Sequence, residues 1–502
     1  MDKKRSFGIL MPLSSLPSPY GIGTLGKEAF DFVDFLAESK ARVWQLLPLS
    51  VTSYGDSPYQ SPSANGLNYY FIDLDTLKEE GLLTQEEIDS CDFGKDPSLV
   101  DYGKLFLNRV PLLRKAFARF NKNDKEFVAF VEKGTYKEFS FFMTLKSLEH
   151  FAPWYEWPEE LRNYTPELEN KVLKENEEDY LFYQFTQFIF LRQFNKLKDY
   201  AHSKGISLMG DMPLYLAYDS VECYEHPELF LLDSNHRPIK VAGCPPDGFS
   251  PDGQLWGNPI YNWAYQKSTG YAWFNERIRQ NLSIYDILRI DHFRGIAGYY
   301  TIPYGDKTAR NGKWEVGPGF DLFKDKTDLP IIAEDLGFLD DAVKTLLRQT
   351  GYPGMKVLEF AFDGHPENDH KPSLQTENYV CYTGTHDNET IVGYLSNLKE
   401  NELEVYKKDV KEQCQLLSVP YRAASLKELG ETTDELCLAA PTFLSILPIW
   451  DILLLDDRAR MNTPSKLSSS NWVYRSLKED FTKERAEKLA KLVLKYHRYK
   501  QD

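Results

Sequence analysis

The sequence predicts an α/β fold: a (β/α)8 TIM barrel with inserted, mostly helical subdomains and no C-terminal β-sandwich. Three observations carry this expectation. Short apolar runs alternate with helical ones along most of the chain, as in βαβ proteins. About eight of the runs read as strands, the number that closes such a barrel. The chain ends in a helical pattern, with no all-β module attached. At 502 residues the length is large for one domain, but barrels with insertions reach it, so we expect one barrel unit over 1–502. A helical insertion is expected at about 68–204 and a second, loop-rich insertion at about 212–283.

In chain order, SFGILM (6 to 11) reads as a buried strand. KEAFDFVDFLAES (27 to 39) follows as a helix with Ala29, Phe30, Val33, Leu36 and Ala37 on one face, and ARVWQLLPL (41 to 49) as a second strand. Such a βαβ unit implies parallel pairing. From about 76 to 204 no run is convincingly β. That stretch closes in DYLFYQFTQFIFLRQFNKLKDYAHSKG (179 to 205), where Leu181, Phe185, Phe188, Leu197 and Ala201 keep near-helical spacing and Gly205 supplies a stop. ISLMGDMP (206 to 213), IYDILRID (284 to 291), PIIAEDLG (330 to 337), MKVLEFAFDG (355 to 364), YVCYTGTHD (379 to 387) and PTFLSILPI (441 to 449) complete the strands. DDAVKTLLRQTG (340 to 351) is an intervening helix, and KEDFTKERAEKLAKLVLKYHRYK (478 to 500) is amphipathic through Ala486, Leu489, Ala490, Val493 and Tyr496.

Composition narrows the partners. A net charge of −16 repels polyanions and argues against nucleic acid or an anionic membrane surface. No stretch approaches the ~20 apolar residues of a membrane span, and Pro12 interrupts the short apolar run near the N-terminus, so no secretion signal is expected. The six cysteines are scattered without a CxxC, which points to a reducing cytoplasm and to neither a disulfide framework nor a zinc motif. Aromatic residues make up 14% of the chain; most fill a core of this size, but flat aromatic faces also suit the apolar faces of sugar rings.

GIGTLG (21 to 26) matches the G-x-G-x-x-G pattern of dinucleotide sites. PLSSLPSPY separates it from the preceding strand, and the next strand ends in Leu-Pro-Leu-Ser with no acid to hold a ribose. We read it as a rim loop and expect no cofactor.

The chemistry-bearing residues sit at strand ends. In YDILRIDHFRG (285 to 295), alternation points Arg289 and Asp291 to one side and Leu288 and Ile290 to the other. A guanidinium beside a carboxylate favours its ionised form, as a nucleophile requires, although a plain salt bridge has the same appearance. IIAEDLG delivers Glu334 and Asp335 to a comparable position, where desolvation raises a carboxyl toward the range of a general acid. YTGTHDNET places Thr385 and Asp387 on one face, flanked by His386 and Asn388. Any one of these is a possible turn or cap. Three acid-tipped strands match the way barrel enzymes build active sites at C-terminal strand ends, and two carboxyls are the minimum for cleaving a sugar bond. No HExxH, calcium loop or close His pair supports a metal.

DILRIDHFRG, IIAEDLG and TGTHDNET, in that order, resemble the catalytic segments of 4-alpha-glucanotransferases of the amylomaltase (disproportionating enzyme) type, within the wider alpha-amylase clan. SYGDSPYQSPSANGLN (53 to 68), GDMPLYLAYDS (210 to 220) and VAGCPPDGFSPDGQLWGNPIYNW (241 to 263) extend the resemblance over nearly the whole chain. Gly248 stands where the family often has an aromatic, Glu389 where Asp is frequent, and MNTPSKLSSSNW (461 to 472) is less glycine-rich than its usual form. The resemblance implies a catalytic barrel that transfers α-1,4-linked glucan segments from a donor to the 4-hydroxyl of another glucan or glucose, by a retaining double displacement. It implies Asp291 as nucleophile, Glu334 as general acid/base and Asp387 as the residue that grips the sugar hydroxyls. Arg289 would orient Asp291, and His386, Asp211 and Tyr59 would contact the donor sugar. Tyr54, Ser57, Asp247, Phe249, Trp256, His292, Asp363 and Asn462 would line neighbouring subsites, with the loops at 53 to 68 and 241 to 263 as the cover over substrate. An α-glucan hydrolase shares the first half-reaction and the residues alone do not separate the two; a non-catalytic glucan-binding scaffold fits poorly with three intact acids. The sequence sets no oligomeric state.

Overall fold

The computed structural model describes residues 3–53, 55–246, 250–337 and 339–499. Tyr54, Asp247 and Phe249, expected above near the substrate, lie outside them. Twelve strands form two sheets: β1 (Ser6–Leu10), β2 (Val43–Gln45), β3 (Ser207–Met212), β4 (Lys240–Cys244), β5 (Gln254–Pro259), β6 (Ile287–Ile290), β7 (Gly298–Pro303), β8 (Lys313–Val316), β9 (Ile331–Ala333), β10 (Gly354–Val357), β11 (Tyr379–Tyr382) and β12 (Leu444–Pro448). Eight of them pair in parallel in the order β10-β11-β12-β1-β2-β3-β6-β9. The ends of this sheet approach at a seam where Ala333 N donates to Pro353 O at 2.8 Å. The result is a nearly closed (β/α)8 barrel, and its eight strands are the eight apolar runs read from the sequence.

Both faces of a parallel barrel strand are covered, which is why these strands are continuous apolar runs rather than alternating ones. Polar exceptions point inward and are satisfied there: Tyr382 Oη donates to Gln45 Oε1 at 2.9 Å, joining β11 to β2 across the interior. Between β9 and β10 the Asp341–Thr350 helix is capped by Asp340, whose side chain accepts from Val343 N, and ends on Gly351 at φ 66°. The MKVLEFAFDG run is strand only to Val357; Leu358–Phe360 is a 3-10 turn, and β11 follows without an intervening α-helix.

Between β2 and β3 lie helices from Leu74–Glu79 to Glu177–Ser203, and the last of these returns the chain to the barrel. Its buried glutamines hold the chain that leaves β2. Gln187 Oε1 and Nε2 bond Leu67 N (2.8 Å) and O (2.9 Å), while Gln193 does the same at Asp73 (2.8 and 3.2 Å). The stretch from 212 to 283 is more than loop: β4 and β5 join β7 and β8 in a four-stranded antiparallel sheet in the order β5-β4-β7-β8, and the Ala272–Ile284 helix leads into β6. GIGTLG is a rim loop whose glycines allow close packing, since a Cβ on Gly23 would lie 1.8 Å from Leu13 O. Among the described residues no helix is long and apolar enough to cross a membrane.

Candidate active site

Asp211 and Arg289 face each other in register on β3 and β6. Arg289 Nη1 contacts Asp211 Oδ1 at 2.7 Å and Oδ2 at 2.6 Å, and its Nη2 reaches Asp291 Oδ1 at 3.1 Å. The guanidinium is buried and bridges two carboxylates, with Met355 Sδ of β10 accepting from its Nε at 3.5 Å. Asp291 is the first residue beyond β6, where its own N–H still donates to Met212 O at 3.0 Å. Its side chain keeps 27% exposure, so Arg289 anchors from the barrel interior a group that opens toward solvent.

The next residue, His292, adopts φ 49°, a strained conformation for a bulky side chain. That turn aims its backbone N–H at Glu334, which accepts from His292 N and from Leu336 N, each at 2.7 Å. Glu334 is therefore clamped to the segment that carries Asp291. Burial pushes its carboxyl above the ordinary range, opposed by Arg289 and the two backbone donors. Burial also raises Asp291, with Arg289 as the main opposing influence and the charges of Asp211, Glu334 and Asp387 adding to the rise. Asp291 and Glu334 therefore each hold a proton more readily than an isolated carboxylate would.

Asp387 follows β11 in a loop built on Thr385, whose N–H and Oγ1 both donate to Asn388 Oδ1 (2.9 and 2.8 Å). Asn462 Nδ2 donates to Asp387 Oδ1 at 2.6 Å, and His386 Nε2 lies 3.4 Å from Asp387 Oδ2. Burial lowers the pKa of His386, against the pull of Asp387. Tyr59 stacks on the His386 ring with centroids 5.0 Å apart, and its Oη donates to Asp211 Oδ2 at 2.7 Å. One continuous set of contacts thus joins Asp211 on β3 to the acids beyond β6 and β11, and Glu334 joins it through His292.

The remaining expected residues divide. His292 is held under Trp256, edge to face at 4.8 Å, and burial drops its pKa to about 3; its Nε2 has no partner among the described residues. Ser57 Oγ accepts from Tyr59 N at 3.2 Å and shapes the loop that presents Tyr59. Asp363 is exposed on the turn after β10, where it accepts from His365 N at 2.9 Å, and among the described residues no contact links it to the three acids. Arg294 pairs with Asp340 at 2.9 Å and lies 3.9 Å from the centroid of the Trp314 ring, a structural arrangement. Asp335, expected alongside Glu334, instead accepts from Met355 N at 2.7 Å on the seam. Sequence reasoning did not single out Arg460, which donates to Asp387 O at 3.0 Å, or Trp472, whose ring packs against both Tyr59 and His386. Trp472 ends the MNTPSKLSSSNW segment, so the signal lay in a motif already noticed.

Comparison with known proteins agrees with this architecture. A family model described as 4-alpha-glucanotransferase (glycoside hydrolase family 77) matches residues 11–479. A 4-alpha-glucanotransferase of Clostridium butyricum is 42% identical over 97% of this chain and 100% of its own length. One from Thermus thermophilus is 39% identical over 97% of this chain and 98% of its own. The solved amylomaltase of Streptococcus agalactiae, in complex with acarbose, superposes with a TM-score of 0.93 at 39% identity, covering 99% of this chain and all of that one. A barrel with acids gathered at its C-terminal strand ends, matched over nearly its full length, belongs to the 4-alpha-glucanotransferase family, whose enzymes transfer glucan segments.

Proposed function

We propose that the chain cuts an α-1,4-glucan donor and joins the released segment to the 4-hydroxyl of a second glucan or of glucose by a retaining double displacement. Asp291 attacks the anomeric carbon while Glu334 protonates the departing glycosidic oxygen, leaving the segment bonded to Asp291. Glu334, now a carboxylate, takes the proton of the incoming 4-hydroxyl; that oxygen attacks the anomeric carbon and Asp291 leaves. Asp387, held by Asn462 and beside His386, grips ring hydroxyls as the sugar distorts. The observation that carries the reading is the single clamp in which Arg289 holds Asp291 at 3.1 Å while the N–H of the following residue holds Glu334 at 2.7 Å. It fixes two carboxyls of different environment relative to one another, as acid and nucleophile require.

Asp211, Tyr59, His386 and Arg289 form the donor wall; Ser57, Trp256, His292, Asp363 and Asn462 are assigned to flanking subsites, as are Tyr54, Asp247 and Phe249. Water competes with the acceptor for the bound segment, so a transferase has to cover its site. The chain leaving β2 and the β4–β5 hairpin, bridged where Gln60 Nε2 donates to Asn258 Oδ1 at 3.1 Å, are suited to that. We place the enzyme in the cytoplasm, where scattered thiols stay reduced.

Maltotriose is the direct test. Glucose together with longer oligomers at constant reducing ends supports transfer, whereas rising reducing ends with only shorter products refutes it. Asp291→Asn, which keeps the shape and one acceptor oxygen, is expected to lower turnover by several orders of magnitude with the circular dichroism spectrum unchanged; near-normal turnover would remove Asp291 from its assigned role.

A further inference from the structure

Outside the cluster of catalytic acids, the start of the Lys137–Leu148 helix meets the end of the Val221–Glu225 helix. There Glu138, Glu225 and His226 bring one ligand atom each within 4.8 Å of one another. His226 Nε2 is 3.3 Å from Glu138 Oε1. Two ligands of a tetrahedral zinc ion, each about 2.0–2.1 Å from the metal, stand about 3.4 Å apart, so this pair already has the required spacing. The other ring nitrogen, Nδ1, is 3.6 Å from Glu228 Oε1. A carboxylate on the far side of the imidazole is the usual partner of a metal-bound histidine, because it fixes the tautomer that leaves Nε2 free to ligate.

Glu225 is the independent sign that a cation belongs here. Its residue is 8% exposed, yet Oε1 has no hydrogen-bond partner among the described residues. A buried carboxylate oxygen without a donor is costly, and a cation relieves that cost. Lys137, beside Glu138 in the chain, is engaged by Glu169 at 2.8 Å, which leaves His226 as the basic group facing the two carboxylates among the described residues. The exposed Glu138 side chain has room to adjust, and tetrahedral spacing asks any of these pairs to close by at most about 1.4 Å.

We propose that Glu138, Glu225 and His226 form a binding site for one divalent first-row transition-metal ion, with water in the fourth position. The imidazole nitrogen selects zinc-like ions over calcium and magnesium, which prefer all-oxygen shells. Its place in the fold gives the site a structural use. Glu222, one turn before His226, accepts from Ala64 N at 2.7 Å, so a bound ion would tie the helical insertion to the segment bearing Tyr59. The sequence offers no local motif because the ligands His226 and Glu138 are 88 positions apart.

The test uses the full chain, stripped with a chelator that is then removed, and zinc chloride alone as titrant. Calorimetry is expected to show one saturable site, a higher melting temperature with zinc, and no comparable response to calcium or magnesium. His226→Gln and Glu225→Gln should each weaken zinc binding by about tenfold or more, while His202→Gln, at an exposed Asp286 pair, should leave it unchanged. If a variant does not fold, the native chain still decides: zinc should protect His226 from carbethoxylation, read by peptide mass spectrometry. Absence of saturable binding up to millimolar zinc, wild-type affinity in a folded His226→Gln, or His226 modified equally with and without zinc would each overturn the site and leave a simple His226–Glu138 ion pair.

Discussion

Glu334 and Asp335 leave the same strand one residue apart, and burial acts on both, but they serve different places. Glu334 is clamped beside Asp291, whereas Asp335 spends one oxygen on Met355 N and has the other, Oδ2, without a partner among the described residues. Alternation along β9 requires that the two diverge, but it does not say which one enters the cleft; that depended on the His292 turn, a conformation no residue pattern announces. The Arg289–Asp291 pairing was legible from spacing alone, while the shorter contacts of Arg289 with Asp211 came only with the β3–β6 register. Burial raises Asp335 from 3.8 to about 7, so the folded chain holds a proton that the unfolded chain has released. Its contribution to stability is therefore complete below pH ~4 and is lost as pH rises toward the folded value. Asp335→Asn keeps an acceptor for Met355 and removes the titration. Measured by urea unfolding, the stability of the variant relative to wild type should increase between pH 4 and 8, by at most on the order of 4 kcal/mol. A difference that stays flat across that range would show that Asp335 does not titrate in this window.

Elements differed in how plainly they were written. The eight barrel strands are doubly covered apolar runs bounded by turn residues, and that pattern survives in the sequence. The second sheet was not legible, because KVAGC, QLWGNP and GYYTIP are short, partly exposed and carry Gly or Pro, while KWEV alternates over only four residues, too few to mark a strand. In MKVLEFAFDG the apolar run outlasts the strand because Leu358 and Ala361 stay buried through the 3-10 turn that follows. Gly210 on β3 is a further case: a Cβ there would stand 2.1 Å from Tyr285 Cδ2, so the ring of the residue that caps the Ala272–Ile284 helix before β6 fills the space a side chain would need. Gly210→Ala is expected to destabilise by about 1–3 kcal/mol through overpacking. It should also lower maltotriose turnover, since the displaced backbone carries Asp211 and, through it, Arg289. An unchanged urea midpoint together with unchanged turnover would mean that β3 accommodates the methyl without moving.

At the scale of the whole molecule, the two ends of the chain fasten the face of the barrel opposite the acids. Arg498, fully buried, donates from Nε to Leu438 O (2.6 Å) and from its two terminal nitrogens to Ala440 O (2.6 Å), Thr442 O (3.1 Å) and Ser6 O (3.0 Å). Arg5 reaches the same group, with Nη1 on Ala440 O at 2.7 Å and Nε on Tyr496 O at 3.0 Å. The carbonyls of Leu438, Ala440 and Thr442 end the Leu426–Ala439 helix and lead into β12, where the helix dipole is negative and no intrahelical donor remains. Two guanidiniums thus satisfy a helix terminus at the point where β12 pairs with β1, and the amphipathic Lys483–Lys495 helix delivers the second of them. A sequence reading finds that helix from its apolar stripe but has no reason to value an arginine beyond its end. Arg498→Met keeps the aliphatic stem and removes a charged donor from four carbonyls, three of which Arg5 also reaches, so it should cost on the order of 2–3 kcal/mol, read as a lowered urea midpoint. Arg458→Met removes a guanidinium that is 92% exposed and, among the described residues, engaged only by Asp456, and it should leave the midpoint where it was. If the two variants unfold at the same urea concentration, the terminal clasp does not hold the barrel and the acids are positioned by strand register alone.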